Sequence, residues 1–315
     1  MEENKRRTRV LNDIFGDYER SSKEFLFYCP KCKHHKRKLS VNLKKNMFKC
    51  WVCDYAGRNI DRLVRRYGGI RDQREWLSYR PKIDLTEFDK ILLEVTEAEE
   101  KYDVSLPEEF ETLTGGRKEI AALMAKKYLK KRGLTKKDLL RWKMGYCSKG
   151  RYKGRIIIPS FDLEGNTNYF ISRSYDGGWR KYMNPSIPKN RIIFNELYLD
   201  FDSDLVITEG IFDAIRAGTN SVPLLGSTLS ERSKLFWEIV KHDTPVYLCL
   251  DRDAKRKEIR IMEVLLKYDV EVYRINSEGY EDLAEIPKEV FQKKKAEAEA
   301  VDAEKCLLYR AEMIC

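Results

Sequence analysis

The sequence predicts a multidomain α/β protein, and three observations carry that prediction. Two C-x2-C pairs sit in a β-patterned N-terminal segment, the middle of the chain is strongly basic with mixed helix and strand signals, and in the last third apolar strands alternate with amphipathic helices. The 315 residues are 42% hydrophobic, enough for two or three small cores or one large one.

In the N-terminal segment, residues 1–24 are polar and charged apart from a patch at Leu11, Ile14 and Phe15. Residues 25–56 then alternate apolar and polar positions (Phe25 and Phe27; Leu39, Val41 and Leu43), which is the pattern of short strands. Cys29 and Cys32 form one C-x2-C pair, Cys50 and Cys53 the other, with 17 residues between them. Zinc takes four soft ligands in a tetrahedron, and two such knuckles joined by a hairpin supply them. His34 and His35 read as surface residues, because four cysteines already satisfy the metal. Cys147, Cys249, Cys306 and Cys315 are scattered and read as ordinary thiols. Phe48 is expected in the small core beneath the metal, and Trp51 either there or on the surface as a stacking face for a base. Residues 59–67 predict a short helix capped by Asn59, and residues 71–103 a helical or loose connector.

Residues 118–131 fit a helix stopped by Gly133, and residues 135–142 a second one. RIIIPSF (155–161) and NYFISRSY (168–175) predict a hairpin through the turn at 162–166. After residue 204 the pattern changes. DLVITEG, SVPLLG, PVYLCLDRD and DVEVYRI read as strands, with helices between them, one of which Ser230 can cap. Strands alternating with helices predict a mostly parallel sheet covered on both faces. Residues 285–315 read as helical.

The net charge of +10 is unevenly spread. Residues 1–80 carry +11 and residues 126–195 carry +14, whereas residues 81–104 carry −5 and residues 196–315 carry −8. Basic segments of this strength favour a polyanionic partner, most simply nucleic acid. No run of about 18 apolar residues is present, so no transmembrane helix is expected. MEENKRRTRV has charge without an apolar stretch, which excludes a secretory signal and points to a cytoplasmic protein with no membrane partner.

Carboxylates gather where strands end. Glu209 follows one predicted strand, and Asp213 lies within the first turn of the helix after Gly210. Asp251 and Asp253 close another strand, where residues two apart project to the same side. Glu281 and Asp282 follow a third. Functional groups in parallel sheets collect at the carboxyl ends of strands. Carboxylates held together repel one another unless a divalent cation compensates, and hard oxygen ligands suit magnesium or manganese. Phosphoryl or nucleotidyl transfer is the chemistry such a centre performs.

These residues resemble a known family. LVITEGIFDA (205–214), LLGSTLS (224–230) and LCLDRDA (248–254) resemble the three signatures of the TOPRIM domain, and EGYEDLAEI (278–286) the acidic element that follows them. RGLTKKDLLRWKMGY (132–146), GRIIIPSFDLEG (154–165), SRS (172–174) and KYMNP (181–185) resemble the basic subdomain of DnaG-type primases. CPKC, KRKLSVN, FKCWVC and Gly57 resemble the primase zinc ribbon. The compact arrangement is similar to phage or mobile-element primases. The resemblance implies a zinc ribbon at 1–80, an acidic linker at 81–105, a basic subdomain at 106–200, a TOPRIM subdomain at 201–286 and a helical tail at 287–315.

The implied activity is synthesis of short RNA primers on single-stranded DNA from ribonucleoside triphosphates, with a replicative helicase as partner. Glu209, Asp251 and Asp253 would bind magnesium or manganese, with Asp213 and Asp282 in support. Lys153, Arg155, Arg173, Lys181, Tyr182 and Asn184 would line the groove for template and nucleotide, and Lys181 and Arg155 would offset phosphate charge. The sequence departs from the family pattern in three places. Cys32 stands where a histidine ligand is common, Lys255-Arg256 replaces a glycine, and Asn195 replaces a lysine. A TOPRIM nuclease uses the same carboxylates, and a zinc-ribbon DNA-binding or helicase-accessory protein with an inactive core is the alternative outside catalysis.

Overall fold

The computed structural model describes residues 2–21, 24–53, 55–57, 59–79, 104–115, 119–178, 180–277, 279–280 and 286–313. The chain divides into two compact units, Met1–Ile91 and Leu92–Cys315. Most of the expected acidic linker lies outside the described residues.

The first unit holds one sheet in the order β1-β2-β3-β4-β5, all antiparallel: Glu19–Ser21, Glu24–Phe27, Leu39–Asn42, Met47–Cys50 and Ala56–Gly57. The charged first residues form a helix, Glu2–Phe15, which the polarity of the segment conceals. It buries Val10, Leu11 and Phe15 against Phe27, Leu39, Val41 and Phe48. Two further helices, Asp61–Tyr67 and Ile70–Ser78, complete this core with Leu63, Val64 and Trp76. Trp76 Nε1 donates to the buried Asp61 carboxylate. Asn59 acts one position earlier than a helix cap, accepting from Asp61 N at 3.0 Å while Ile60 occupies the cap position.

The second unit contains two sheets. The first is antiparallel, in the order β6-β7-β8-β9: Phe110–Thr112, Gly145–Cys147, Arg155–Phe161 and Thr167–Ser174. Asp162 and Asn166 close the β8–β9 hairpin, with Asn166 N donating to Asp162 Oδ1 at 2.7 Å. Helices Ile120–Lys131 and Lys136–Arg141 lie between β6 and β7 in the chain. Gly133 separates them at φ +73, a conformation a side chain strains, and a Cβ there would also meet Arg216 at 2.5 Å.

Thr135 and Asp138 form a capping box at the second helix. The buried Asp138 carboxylate also accepts from Lys288 Nζ at 2.7 Å, tying this helix to the C-terminal segment. Burial alone would raise the Asp138 carboxyl, but Lys288 and Thr135 outweigh it and hold it below its ordinary value of 3.8. Its contribution is therefore complete above that value and is lost as pH falls through the lowered one. Asp138→Ala is expected to destabilise the protein by about 2 kcal/mol, roughly half from the cap and half from the ion pair, whose lysine is open to solvent. The urea midpoint measures it, and the difference from wild type should shrink in acid.

The second sheet runs in the order β11-β10-β12-β13-β14: Leu205–Thr208 (β10), Ser221–Pro223 (β11), Val246–Cys249 (β12), Val272–Arg274 (β13) and Glu299–Val301 (β14). All pairs are parallel except the last. Every residue of β10 is buried, as expected for a strand covered on both faces. Four helices accompany the sheet: Ile211–Ala217, Lys234–His242, Lys255–Lys267 and Lys288–Ala296.

Three expectations are corrected. The helix after Ser230 begins at Lys234 with Ser233 at its cap position, and Ser230 lies in the turn before it. Arg252–Ala254 is a 3-10 turn, so β12 ends before Asp251 and Asp253. The C-terminal segment is helical only in part, because Glu299–Val301 interrupts it as an antiparallel edge strand, followed by the helix Ala303–Ala311.

Candidate active site

The chain leaves β10 toward β11 on one side of the sheet, while β12 lies on the other. The carboxyl ends of β10 and β12 therefore flank a reversal of strand order, which is where open sheets present a crevice. Glu209 follows β10, and Asp251 follows β12. The loop after β11 braces the first of these. Leu224 N donates to Thr208 O at 2.9 Å and Leu225 N to Glu209 O at 3.0 Å, with Leu225 at φ +56. A leucine in that region is strained by about 1 kcal/mol or more, and such strain collects at functional sites.

Glu209, Asp251 and Asp253 bring carboxylate oxygens within 4.8 Å of one another. The 3-10 turn, not strand alternation, brings the two aspartates together. Glu209 Oε1 accepts from Lys257 Nζ at 3.0 Å, while Oε2 is buried with no hydrogen-bond partner among the described residues. An orphaned carboxylate oxygen among two further carboxylates fits a divalent cation. Asp213 stands apart from this set: its Oδ2 accepts from Gly210 N at 3.0 Å, capping the helix Ile211–Ala217. Asp282 lies outside the described residues.

A cavity of ≈ 540 Å³ opens beside the carboxylates. Glu209, Asp213 and Asp251 line it, as do Arg132, Arg173, Lys181 and Lys189. Residues 181–183 run antiparallel to β9, with Ser174 N donating to Lys181 O at 3.2 Å and Met183 N to Ser172 O at 3.1 Å. Asn184 Oδ1 secures the end by accepting from Ser172 N at 2.9 Å. This added strand presents Lys181, Tyr182 and Asn184 to the cavity.

Arg173 is 8% exposed. Its Nε donates to Tyr128 OH at 2.8 Å, and its guanidinium lies 4.8 Å from the Tyr182 ring centre and 5.8 Å from that of Tyr128. Arg132 continues the series, 5.6 Å from Tyr128 and 4.9 Å from Phe212. Alternating cations and rings fix both arginines by cation–π contact. Arg173 Nη1 remains buried without a hydrogen-bond partner among the described residues, a donor available to an anion.

Two expected groove residues do not line this cavity. Lys153 is exposed elsewhere. Arg155 is buried and donates to Arg180 O at 2.7 Å and Ser172 O at 3.5 Å, so its hydrogen bonds join β8, β9 and the loop beyond. Burial draws its guanidinium below the usual range, with Asp176 opposing. Arg155 is not placed to offset a phosphate in the cavity. Conversely, Arg132, Lys189, Tyr128 and Phe212 belong to the site without having been picked out. Tyr128 and Arg132 stand four apart on one helix face, the one local signal available. Asn195 is buried at φ +61 and does not line the cavity.

In the first unit, Cys29 Sγ lies 3.8 Å from Cys53 Sγ, and Cys32 Sγ 3.8 Å from Cys50 Sγ. A tetrahedron with metal–sulfur bonds of about 2.3 Å has edges of about 3.8 Å, so the four sulfurs already stand at zinc spacing. Burial raises the Cys29 thiol to about 12; at Cys50 burial is outweighed by the N–H groups of Cys53 and Val52, and the thiol falls to about 7. His34 Nδ1 accepts from Lys36 N at 3.0 Å, outside the cysteine cluster. Phe48 is buried, while Trp51 is 63% exposed with Lys49 Nζ 5.2 Å from its ring centre.

The chain is 25% identical to the DNA primase of Thermotoga maritima over 349 residues, covering 93% of this chain and 59% of that protein. It is similar to DNA primases along nearly its whole length. The primase of Clostridium acetobutylicum is 23% identical over 338 residues, covering 85% of this chain and 54% of the relative. The chain thus spans rather more than half the length of these curated primases. Among solved structures, the zinc-binding and RNA polymerase domains of the Aquifex aeolicus primase match at a TM-score of 0.49 and 18% identity, over 95% of this chain and 86% of that one. A DnaG primase catalytic domain bound to single-stranded DNA matches at 0.48 and 19%, over 58% and 74%. No family model matches. No helix among the described residues is long and apolar enough to cross a membrane.

Proposed function

We propose that this protein is a DNA primase, making short RNA primers on single-stranded DNA. The observation that carries this reading is the cavity lined both by Glu209 and Asp251 of the carboxylate set and by Arg132, Arg173, Lys181 and Lys189. Four cations in the same cavity as the carboxylates suit a substrate that brings its own negative charge, such as a nucleoside triphosphate. The similarity to curated primases along the chain supports the same reading.

In this mechanism Glu209, Asp251 and Asp253 would hold magnesium or manganese, whose charge would offset that of the phosphates. Arg173 donates through Nη1 to a phosphate oxygen, and Lys181 and Lys189 add positive charge along the triphosphate. Tyr182, 40% exposed, offers a ring face to the base. The primer 3′-hydroxyl is the attacking group, so no side-chain nucleophile is required. The four cysteines hold zinc and shape the first unit, whose basic surface meets the template through Trp51. Trp51→Ala is expected to weaken single-stranded DNA binding by about 1–3 kcal/mol, the contribution of one stacked base. At 63% exposure the ring adds little to stability. Fluorescence anisotropy with a labelled oligonucleotide reads the affinity, and an unchanged value assigns Trp51 no template contact.

The direct test incubates the protein with single-stranded DNA, labelled ribonucleotides and magnesium. Short alkali-labile products are the expected result. A cleaved template without product indicates a nuclease. DNA that is bound but unchanged in magnesium and manganese indicates an accessory module.

A further inference from the structure

The helix Lys255–Lys267 begins with three cations, Lys255, Arg256 and Lys257. That end of a helix carries the positive pole of its dipole, where carboxylates are favoured and cations are not. The one acidic residue of the turn, Glu258, is turned away into a buried pair with Arg274 at 3.0 Å. Lys255 and Arg256 are exposed. Lys257 is not: its Nζ reaches across to Glu209 Oε1 at 3.0 Å, with side-chain exposures of 20% for the lysine and 28% for the glutamate. A cation in an unfavourable place is thus held by the first carboxylate of the metal-binding set.

Resting on the reading of Glu209, Asp251 and Asp253 as a divalent metal centre, we propose that Lys257 is the resident counter-cation of Glu209 and competes with the metal for it. An ammonium supplies one positive charge at one oxygen, whereas a divalent ion supplies two and engages several carboxylates. The lysine therefore neutralises Glu209 while the centre is empty, and its charge at Oε1 opposes a cation approaching Oε2. A divalent ion taken by Oε2, which has no hydrogen-bond partner among the described residues, meets this ammonium across the same carboxylate, so Lys257 lowers the apparent affinity for metal.

Manganese binding to the whole protein, followed by electron paramagnetic resonance of the free ion without nucleotide or DNA, tests this. Lys257→Gln is expected to lower the manganese Kd about five- to tenfold, the factor that matches an ion pair of about 1 kcal/mol or slightly more. Lys257→Arg keeps the charge and should stay near wild type. Lys255→Gln removes an equal charge from the same turn, and a change under twofold separates pairing from the general field. An unchanged or weaker Kd for Lys257→Gln overturns the proposal, as does equal tightening by Lys255→Gln. Asp251→Asn distinguishes the two levels of the argument. If wild type and Asp251→Asn bind manganese alike, the metal centre itself is misassigned. If Asp251→Asn loses binding while Lys257→Gln is unchanged, only the role of Lys257 fails.

Discussion

Asp251→Asn is expected to lower nucleotide incorporation by about three orders of magnitude or more. A metal in a nucleotidyl-transfer site contributes several kcal/mol of transition-state stabilisation, and each 1.36 kcal/mol is tenfold in rate. Asparagine keeps the shape of the side chain but not its charge. The turn should persist, because the Asp251 backbone carbonyl, not the carboxylate, accepts from Ala254 N at 2.9 Å. Circular dichroism and the melting temperature should therefore match wild type while single-turnover extension of a primed template is lost. Glu209→Gln should behave alike. Asp213→Asn should lose far less rate and show its effect mainly in stability, since its carboxylate caps a helix. If Asp251→Asn keeps a tenth of the wild-type rate, the chemistry takes place elsewhere.

With zinc held by the four cysteines, its removal is expected to unfold the first unit and leave the second intact. Structural zinc contributes about 10–16 kcal/mol of apparent binding free energy at neutral pH, as much as or more than the whole stability of an ordinary domain. One cysteine pair lies in the β2–β3 connection and the other at the end of β4, so losing the metal would release the strands that carry Phe27, Leu39, Val41 and Phe48. With a strong chelator, or in Cys32→Ser, amides of β2, β3 and β4 should exchange freely with solvent, while those of β8, β10 and β12 stay protected. Persistent protection in the first three strands after verified zinc loss would show that the helices Glu2–Phe15 and Asp61–Tyr67 sustain this core unaided.

Much of this arrangement could be read from local patterns. The run Leu205–Thr208 and the helices after it follow from periodicity and from the turns that bound them. The cysteine spacing needs no tertiary information, because the metal sets the geometry. The failures have physical causes. Glu2–Phe15 is dominated by charge, and only its few apolar side chains reveal a buried face. Glu299–Val301 is three residues of mixed propensity, made a strand by its pairing with Val272–Arg274. Asp251 and Asp253 were rightly expected together but for the wrong reason, since a turn and a strand both bring such residues close. Arg132, Lys189 and Lys257 are lost among 61 Lys and Arg residues, and only three-dimensional proximity distinguishes them. Arg155 has the right charge in the right segment, yet it is spent on backbone carbonyls.

The antiparallel strand β14 changes what the sheet presents at its edge. Strand β13 would otherwise end the sheet with a row of unpaired backbone donors and acceptors, and an open edge of that kind recruits strands from neighbouring chains. Val301, Ala300 and Glu299 cover it, opposite Val272, Tyr273 and Arg274. Tyr309 then folds back from the following helix and hydrogen-bonds Glu299 at 2.5 Å. Residues beyond the acidic elements thus serve as a guard rail against aggregation, and a catalytic fragment trimmed after residue 286 would be expected to self-associate through its exposed sheet edge.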